Sequence, residues 1–136
     1  MSADIAKMYR QIWVHPDDKS LQRILWRNTP NQPIATYELN TVTYGMASAP
    51  FLATRCLQKL IEDEADNYPE ASKLAKDGFY VDDLITGTDE VDTALSMQQD
   101  LMNMLRKGGF TLRKWSSNHP ALLNHLAPEM LKEIYY

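Results

Sequence analysis

The segment Tyr80-Val81-Asp82-Asp83 sets two adjacent carboxylates between short apolar runs, Gly78-Phe79-Tyr80-Val81 before and Leu84-Ile85 after. Runs this short and this rich in aromatic and branched residues read as strands. A turn between them would carry both carboxylates at the tip of a hairpin. Adjacent like charges repel, and a cation between them is the natural reason to keep both. Mg²⁺ suits the position, because it is held by one or two carboxylates together with water and substrate phosphates. The chemistry indicated is phosphoryl or nucleotidyl transfer. An isolated Asp-Asp pair is more simply a solvated turn, and Asp17-Asp18 is a second such pair in this chain. The metal reading therefore depends on a further carboxylate reaching the hairpin.

The order of elements supplies one. A strand is expected around Asp4, a helix over 51–65, the hairpin over 78–86, a helix over 89–107 and a strand over 109–115. Pro50 suits the first turn of the first helix, and Phe51, Leu52, Cys56, Leu57, Leu60 and Ile61 form its apolar stripe. Gly108-Gly109 stops the second helix, and Phe110 to Trp115 alternates like a strand. A small β insertion at 22–27 and 34–40 flanks the turn-rich segment 28–33. Residues 71–77 are a helical or irregular bridge after Tyr68-Pro69, and 119–136 is expected to be a helical tail. The class is α+β, in the split β-α-β-β-α-β arrangement with a ferredoxin-like core. There the first and third strands lie side by side and antiparallel, so Asp4 comes close to Asp82 and Asp83. Three carboxylates from two elements could then hold two metal ions about 3.5–4 Å apart, the clamp of an in-line displacement. Asp4 and Asp82 would be the bridging ligands and Asp83 the weaker one.

Bulk properties bound the alternatives. The 136 residues fit one domain, and 44% hydrophobic content is enough for a real core. A net charge of −4 argues against a freestanding nucleic-acid binder, which usually carries a basic face. The lone Cys56 excludes an internal disulfide and a thiolate zinc cluster. His15, His119 and His125 are scattered. With no membrane-length apolar run and no signal-peptide core at the N-terminus, the default is an intracellular, cytoplasmic protein with no membrane association. Trp13, Trp26 and Trp115 read as core or interface aromatics, and Met97, Met102 and Met104 as helix packing.

Four segments carry a resemblance: Ala3 to Ile12, Leu39 to Pro50 (with Tyr44-Gly45-Met46-Ala47-Ser48-Ala49-Pro50), Phe79 to Gly87, and Gly109 to Asn118. In this order, over residues 1 to about 120, the chain resembles the palm of a reverse transcriptase, most closely that of BEL/Pao-type LTR retrotransposons. The resemblance implies an RNA-directed DNA polymerase of the nucleotidyltransferase kind, within the wider DNA/RNA polymerase superfamily. It would use two Mg²⁺ ions, with Mn²⁺ as a substitute, and take a deoxynucleoside triphosphate and an RNA or DNA template-primer as partners. Asp4, Asp82 and Asp83 match the catalytic, metal-binding aspartates, and the Ile5 carbonyl is a further possible ligand. Tyr9 matches the aromatic gate under the incoming sugar, where a ring would clash with a 2′-hydroxyl. Tyr44 and Gly45 match the loop that touches the nucleotide and template base. Tyr80 would brace the primer end, or simply pack under the hairpin. Lys114 is a candidate general acid toward the leaving pyrophosphate, with Arg113 competing for the role. On residue types alone, Tyr9 reads first as a core aromatic and Lys114 as a solvated strand charge, while Gly45 is equally a turn glycine.

The pattern also departs from a whole polymerase. The chain begins three residues before Asp4, so the first strand is expected to be short. Neither fingers strands bearing the triphosphate-binding cations nor a thumb is recognisable. The expectation is one partial palm domain over 1–136, binding nucleic acid weakly and inactive alone. A non-catalytic remnant or interaction protein that keeps the palm fold is the alternative. Another split-sheet two-metal enzyme, such as a cyclase, would explain neither Tyr44-Gly45 nor the Gly109 segment.

Overall fold

A computed structural model describes residues 1–133 of the chain. The expected α+β class holds. A four-stranded antiparallel sheet runs in the order β4-β5-β1-β6, with β1 Ser2–Ile5, β4 Phe79–Tyr80, β5 Asp83–Ile85 and β6 Leu112–Ser116. Helices α1 (Ala49–Asp63) and α2 (Pro69–Gly78) connect β1 to β4, and α3 (Val91–Lys107) connects β5 to β6. A separate ribbon of β2 (Arg23–Trp26) and β3 (Ala35–Glu38) forms the early insertion.

One face of the sheet is covered. Ala3 and Ile5 of β1, Leu84 of β5, and Leu112 and Trp115 of β6 are buried with Ala53, Leu57 and Ile61 of α1, Ala71 and Ala75 of α2, and Leu101, Met104 and Leu105 of α3. The alanines at i, i+4 spacing on α1 and α2 let both helices lie close to their neighbours. Burial of each large side chain contributes about 1.5–3 kcal/mol. Because residues along a strand alternate between faces, Asp4 falls on the open side, between buried Ala3 and buried Ile5. Helix α3 stops as expected, with Gly109 at φ +79°. Phe110 N–H bonds the Leu105 carbonyl at 3.0 Å and Gly109 N–H the Arg106 carbonyl at 3.0 Å. This Schellman closure needs a left-handed residue after the cap and turns the chain directly into β6.

Several expectations are corrected. Of the two alternatives for 71–77 the helical one holds, and the helix is longer, Pro69–Gly78: Pro69 opens it and Ala71, Ser72 and Ala75 bury one side. On α1, Phe51 and Cys56 face solvent, because the stripe in contact with the core is Ala49, Ala53, Leu57 and Ile61. The alternation expected over 110–115 is broken by a bulge in β6. Of the tryptophans read as core or interface aromatics, Trp115 is in the core at 1% exposure, whereas Trp13 and Trp26, 73% and 57% exposed, are not core residues. The tail is not one helix within the described residues. It makes two short 3-10 turns, Pro120–Leu122 and Pro128–Met130, and lays Leu131 beside Trp115, Lys132 N–H bonding the Trp115 carbonyl at 3.0 Å. The end of the expected tail, residues 134–136, lies outside the described residues. Among the described residues no helix is long and apolar enough to cross a membrane.

Candidate active site

Strand β1 is flanked by β5 on one side and β6 on the other, and this places Asp4. Its cross-strand partners are Asp83 on β5 and Arg113 on β6. Directly opposed residues point to the same side of a sheet, so Asp4, Asp83 and Arg113 share the open face. The hairpin closes in two residues, Val81 and Asp82, since Tyr80 pairs with Asp83. The carboxylates thus divide: Asp82 occupies the turn and Asp83 begins β5, rather than both sitting at the tip. Val81 takes φ +57°, the sign that a II′ hairpin turn requires at its first central residue. The Asp82 carbonyl accepts from Ile5 N–H at 2.8 Å, locking the turn to the end of β1. Tyr80 is 82% exposed, so it does not pack under the hairpin.

On the other side, β6 inserts one extra residue. Ser2 pairs with Ser116 and Asp4 with Arg113, so Ala3 is matched by both Lys114 and Trp115. Lys114 sits at φ +54° in this bulge. A regular strand would put Lys114 on the same side as buried Leu112 and turn Trp115 outward. The extra residue reverses both outcomes: Trp115 enters the core and Lys114 reaches across to form an ion pair with the Asp4 carboxylate. Bulges commonly re-aim a side chain in this way. Hydrogen bonding to Asp4, and then its charge, raise the Lys114 pKa above the ordinary lysine value, with Asp82 and Asp83 adding to the effect. The ammonium is thereby held in its charged form.

The two tyrosines singled out from the sequence meet. Tyr9, in the 3-10 turn Met8–Gln11, and Tyr44 stand edge to face, with ring centroids 4.8 Å apart and planes at 65°. Lys7, at φ +50°, turns the chain from β1 into that 3-10 turn. The loop before Tyr44 is zipped to the segment after Tyr9: Val14 N–H bonds the Asn40 carbonyl and Val42 N–H the Ile12 carbonyl, each at 2.9 Å. Gly45 has φ +87°, and a Cβ there would meet nothing within 4 Å. The position needs glycine for backbone conformation, not for close approach within this chain.

Sequence reasoning missed Gln22. It is 7% exposed, its amide donates to the Leu39 and Thr41 carbonyls at 3.4 and 3.2 Å, and its oxygen accepts from Thr43 N–H at 3.1 Å. One side chain therefore braces the approach to Tyr44 at three backbone groups, beside the backbone bonds from Val14 and Val42. A lone glutamine between a charged turn and an apolar run offers no signal of this role.

These elements enclose a cleft of about 530 Å³ lined by Asp4, Lys7, Gln11, Tyr44, Asp82 and Lys114, with Arg113 beside them. Among the described residues, the three non-glycine positions with left-handed φ, Lys7, Val81 and Lys114, all lie in or next to it, and such strain often gathers at functional sites. Carboxylates and backbone carbonyls are the hard oxygen donors that Mg²⁺ takes, so the donor chemistry fits. Their present grouping is looser: among the described residues, no three His, Cys, Asp or Glu side chains are clustered to hold a metal ion, and Asp4 is engaged by Lys114.

A comparison with protein families matches residues 1–115 to the family described as reverse transcriptase (RNA-dependent DNA polymerase). A comparison with curated proteins returned no match.

Proposed function

This chain belongs to the reverse transcriptase family, and on that premise we propose that its cleft is a nucleotidyl-transfer site of the BEL/Pao retrotransposon type. The reaction is attack of a primer 3′-hydroxyl on the α-phosphate of a deoxynucleoside triphosphate. A bond forms from the 3′-oxygen to the α-phosphorus, the α–β bridge breaks, pyrophosphate leaves and the hydroxyl proton is lost. The observation that carries the reading is the pairing of Asp4 with Asp83 across β1 and β5, with Asp4 and Asp82 lining the cleft.

Asp4, Asp82 and Asp83 are the residues that would hold Mg²⁺ or Mn²⁺. When bound, such ions stabilise the charge on the attacking and leaving oxygens. The protein's own share is position. Tyr9 offers a ring buttressed by Tyr44, suited to lie beneath a deoxyribose and to clash with a 2′-hydroxyl. Gly45 keeps the following backbone turned without a side chain. Lys7 and Arg113 supply positive charge near the carboxylates, where phosphates would lie. Tyr80, its side chain exposed on the hairpin, is available to a primer end. Lys114 is available to protonate pyrophosphate only after leaving Asp4, because the pair holds its proton. Template-primer and triphosphate are the partners. With a net charge of −4, the chain has little of the basic surface that gives polymerases their salt-dependent affinity, so it binds them weakly alone.

A second reading, a non-catalytic protein retaining the palm fold, is favoured by the engagement of Asp4 with Lys114. Manganese titration calorimetry on the purified chain and on Asp82→Asn separates the two. Saturable binding lost in the variant supports the polymerase site; a folded chain that binds no metal supports the remnant. Primer extension on an oligonucleotide template is expected to be negligible, and robust extension abolished by Asp82→Asn would overturn the expected weakness of the isolated chain.

A further inference from the structure

We propose that Lys114 is a built-in substitute cation: it occupies the cationic position at Asp4 when no divalent ion is bound and must swing away before one binds. The inference rests on the reading of Asp4 as a metal ligand and adds to it an exchange that this chain's own geometry sets up. The Asp4 side chain is only 18% exposed and stands opposite a second carboxylate, Asp83. Without a cation that arrangement is unfavourable, since like charges directly opposed across a sheet destabilise it. The chain answers with an ammonium delivered by a distortion. Lys114 reaches Asp4 because β6 carries an extra residue there in a left-handed conformation.

The neighbouring cation makes the contrast. Arg113 is the direct cross-strand partner of Asp4, yet it forms no ion pair among the described residues, and the bulged residue takes the contact. The Lys114 side chain is 66% exposed, so release into water meets no packing barrier. An ammonium on Asp4 Oδ2 fills an acceptor site of that carboxylate and repels a divalent ion approaching the rest of it, so the two compete. The pair therefore assembles the acidic face in the metal-free chain and lowers its apparent affinity for metal.

The test is manganese affinity by calorimetry on the whole chain, with the Lys114 ¹³Cε resonance followed by NMR. Lys114→Gln is expected to bind Mn²⁺ about two- to fivefold more tightly, within the range set by an ion pair at a partly exposed site. Lys114→Gly also relaxes the left-handed backbone, and it should give the same tightening if the glutamine variant folds poorly. Arg113→Gln removes an equal charge without touching the pair and should shift affinity less than about twofold. In the wild type, the Lys114 resonance should move as metal saturates. Equal tightening in Lys114→Gln and Arg113→Gln reduces the effect to net charge and overturns the inference. So does unchanged affinity in both Lys114 variants, while leaving the metal site intact. Absence of binding in every form overturns the metal-site reading and the inference with it.

Discussion

Asp4 on β1 and Asp83 on β5 are directly opposed across an antiparallel strand pair. Two carboxylates so placed repel, by about 0.2–1 kcal/mol relative to a neutral pair. Asp83→Asn should therefore raise the stability of the metal-free chain by that amount, read as a higher urea midpoint. If Asp83 helps to hold a metal, the same variant should weaken Mn²⁺ binding. A variant that loses stability would show that the two charges are not in conflict.

Val81 takes a left-handed conformation in the two-residue turn of the hairpin. For a branched residue this costs about 1–2 kcal/mol, part of which glycine would return after its own entropy loss. Val81→Gly is expected to stabilise the chain by about 0.5–1 kcal/mol in chemical denaturation. The gain should come with a looser Asp82, visible as faster amide exchange at Ile5, whose N–H bonds the Asp82 carbonyl.

Pairing with Asp4 raises the Lys114 pKa above its unfolded value. A group whose folded pKa is the higher one contributes stability below the unfolded pKa, and that contribution is lost as pH rises through the folded value. The stability difference between wild type and Lys114→Gln should thus be constant from neutral pH to about pH 10 and then shrink. A difference that instead grows with alkalinity would contradict the pairing.

The three tryptophans should separate by energy. Trp115→Ala removes a fully buried side chain and should cost about 3–5 kcal/mol. Trp13→Ala and Trp26→Ala, on exposed rings, should change stability by about 0.5 kcal/mol or less. Acrylamide should quench the two exposed indoles and spare the third.

Gly45→Ala would force a side chain onto φ +87°, at an expected cost of about 1–2 kcal/mol. Because Tyr44 immediately precedes it, the loss should include the Tyr9–Tyr44 contact, measurable as altered aromatic proton shifts of both rings. A Gln22→Ala variant should disturb the same rings from a distance by releasing the loop it holds.

The sequence by itself determined the hairpin, its acidic residues, the two long helices and the glycine stop after α3. Short apolar runs, a 3.6-residue stripe and Gly108-Gly109 are local signals, and local signals survive without knowledge of packing. The element order was also enough to bring the strand of Asp4 beside the hairpin, because few chain paths join those elements in one sheet. Only the tertiary structure decided what those residues touch. The bulge at Lys114 leaves no mark in a run that alternates on paper; it arises because Trp115, not Lys114, must enter the core. The burial of Trp115 and the exposure of Trp13 and Trp26 likewise depend on which elements find a layer to pack against. Gln22 works through three backbone groups from 17 to 21 positions away. Side-chain chemistry was legible one residue at a time, whereas the pairing of Asp4 with Lys114 exists only where two distant strands fix both ends at once.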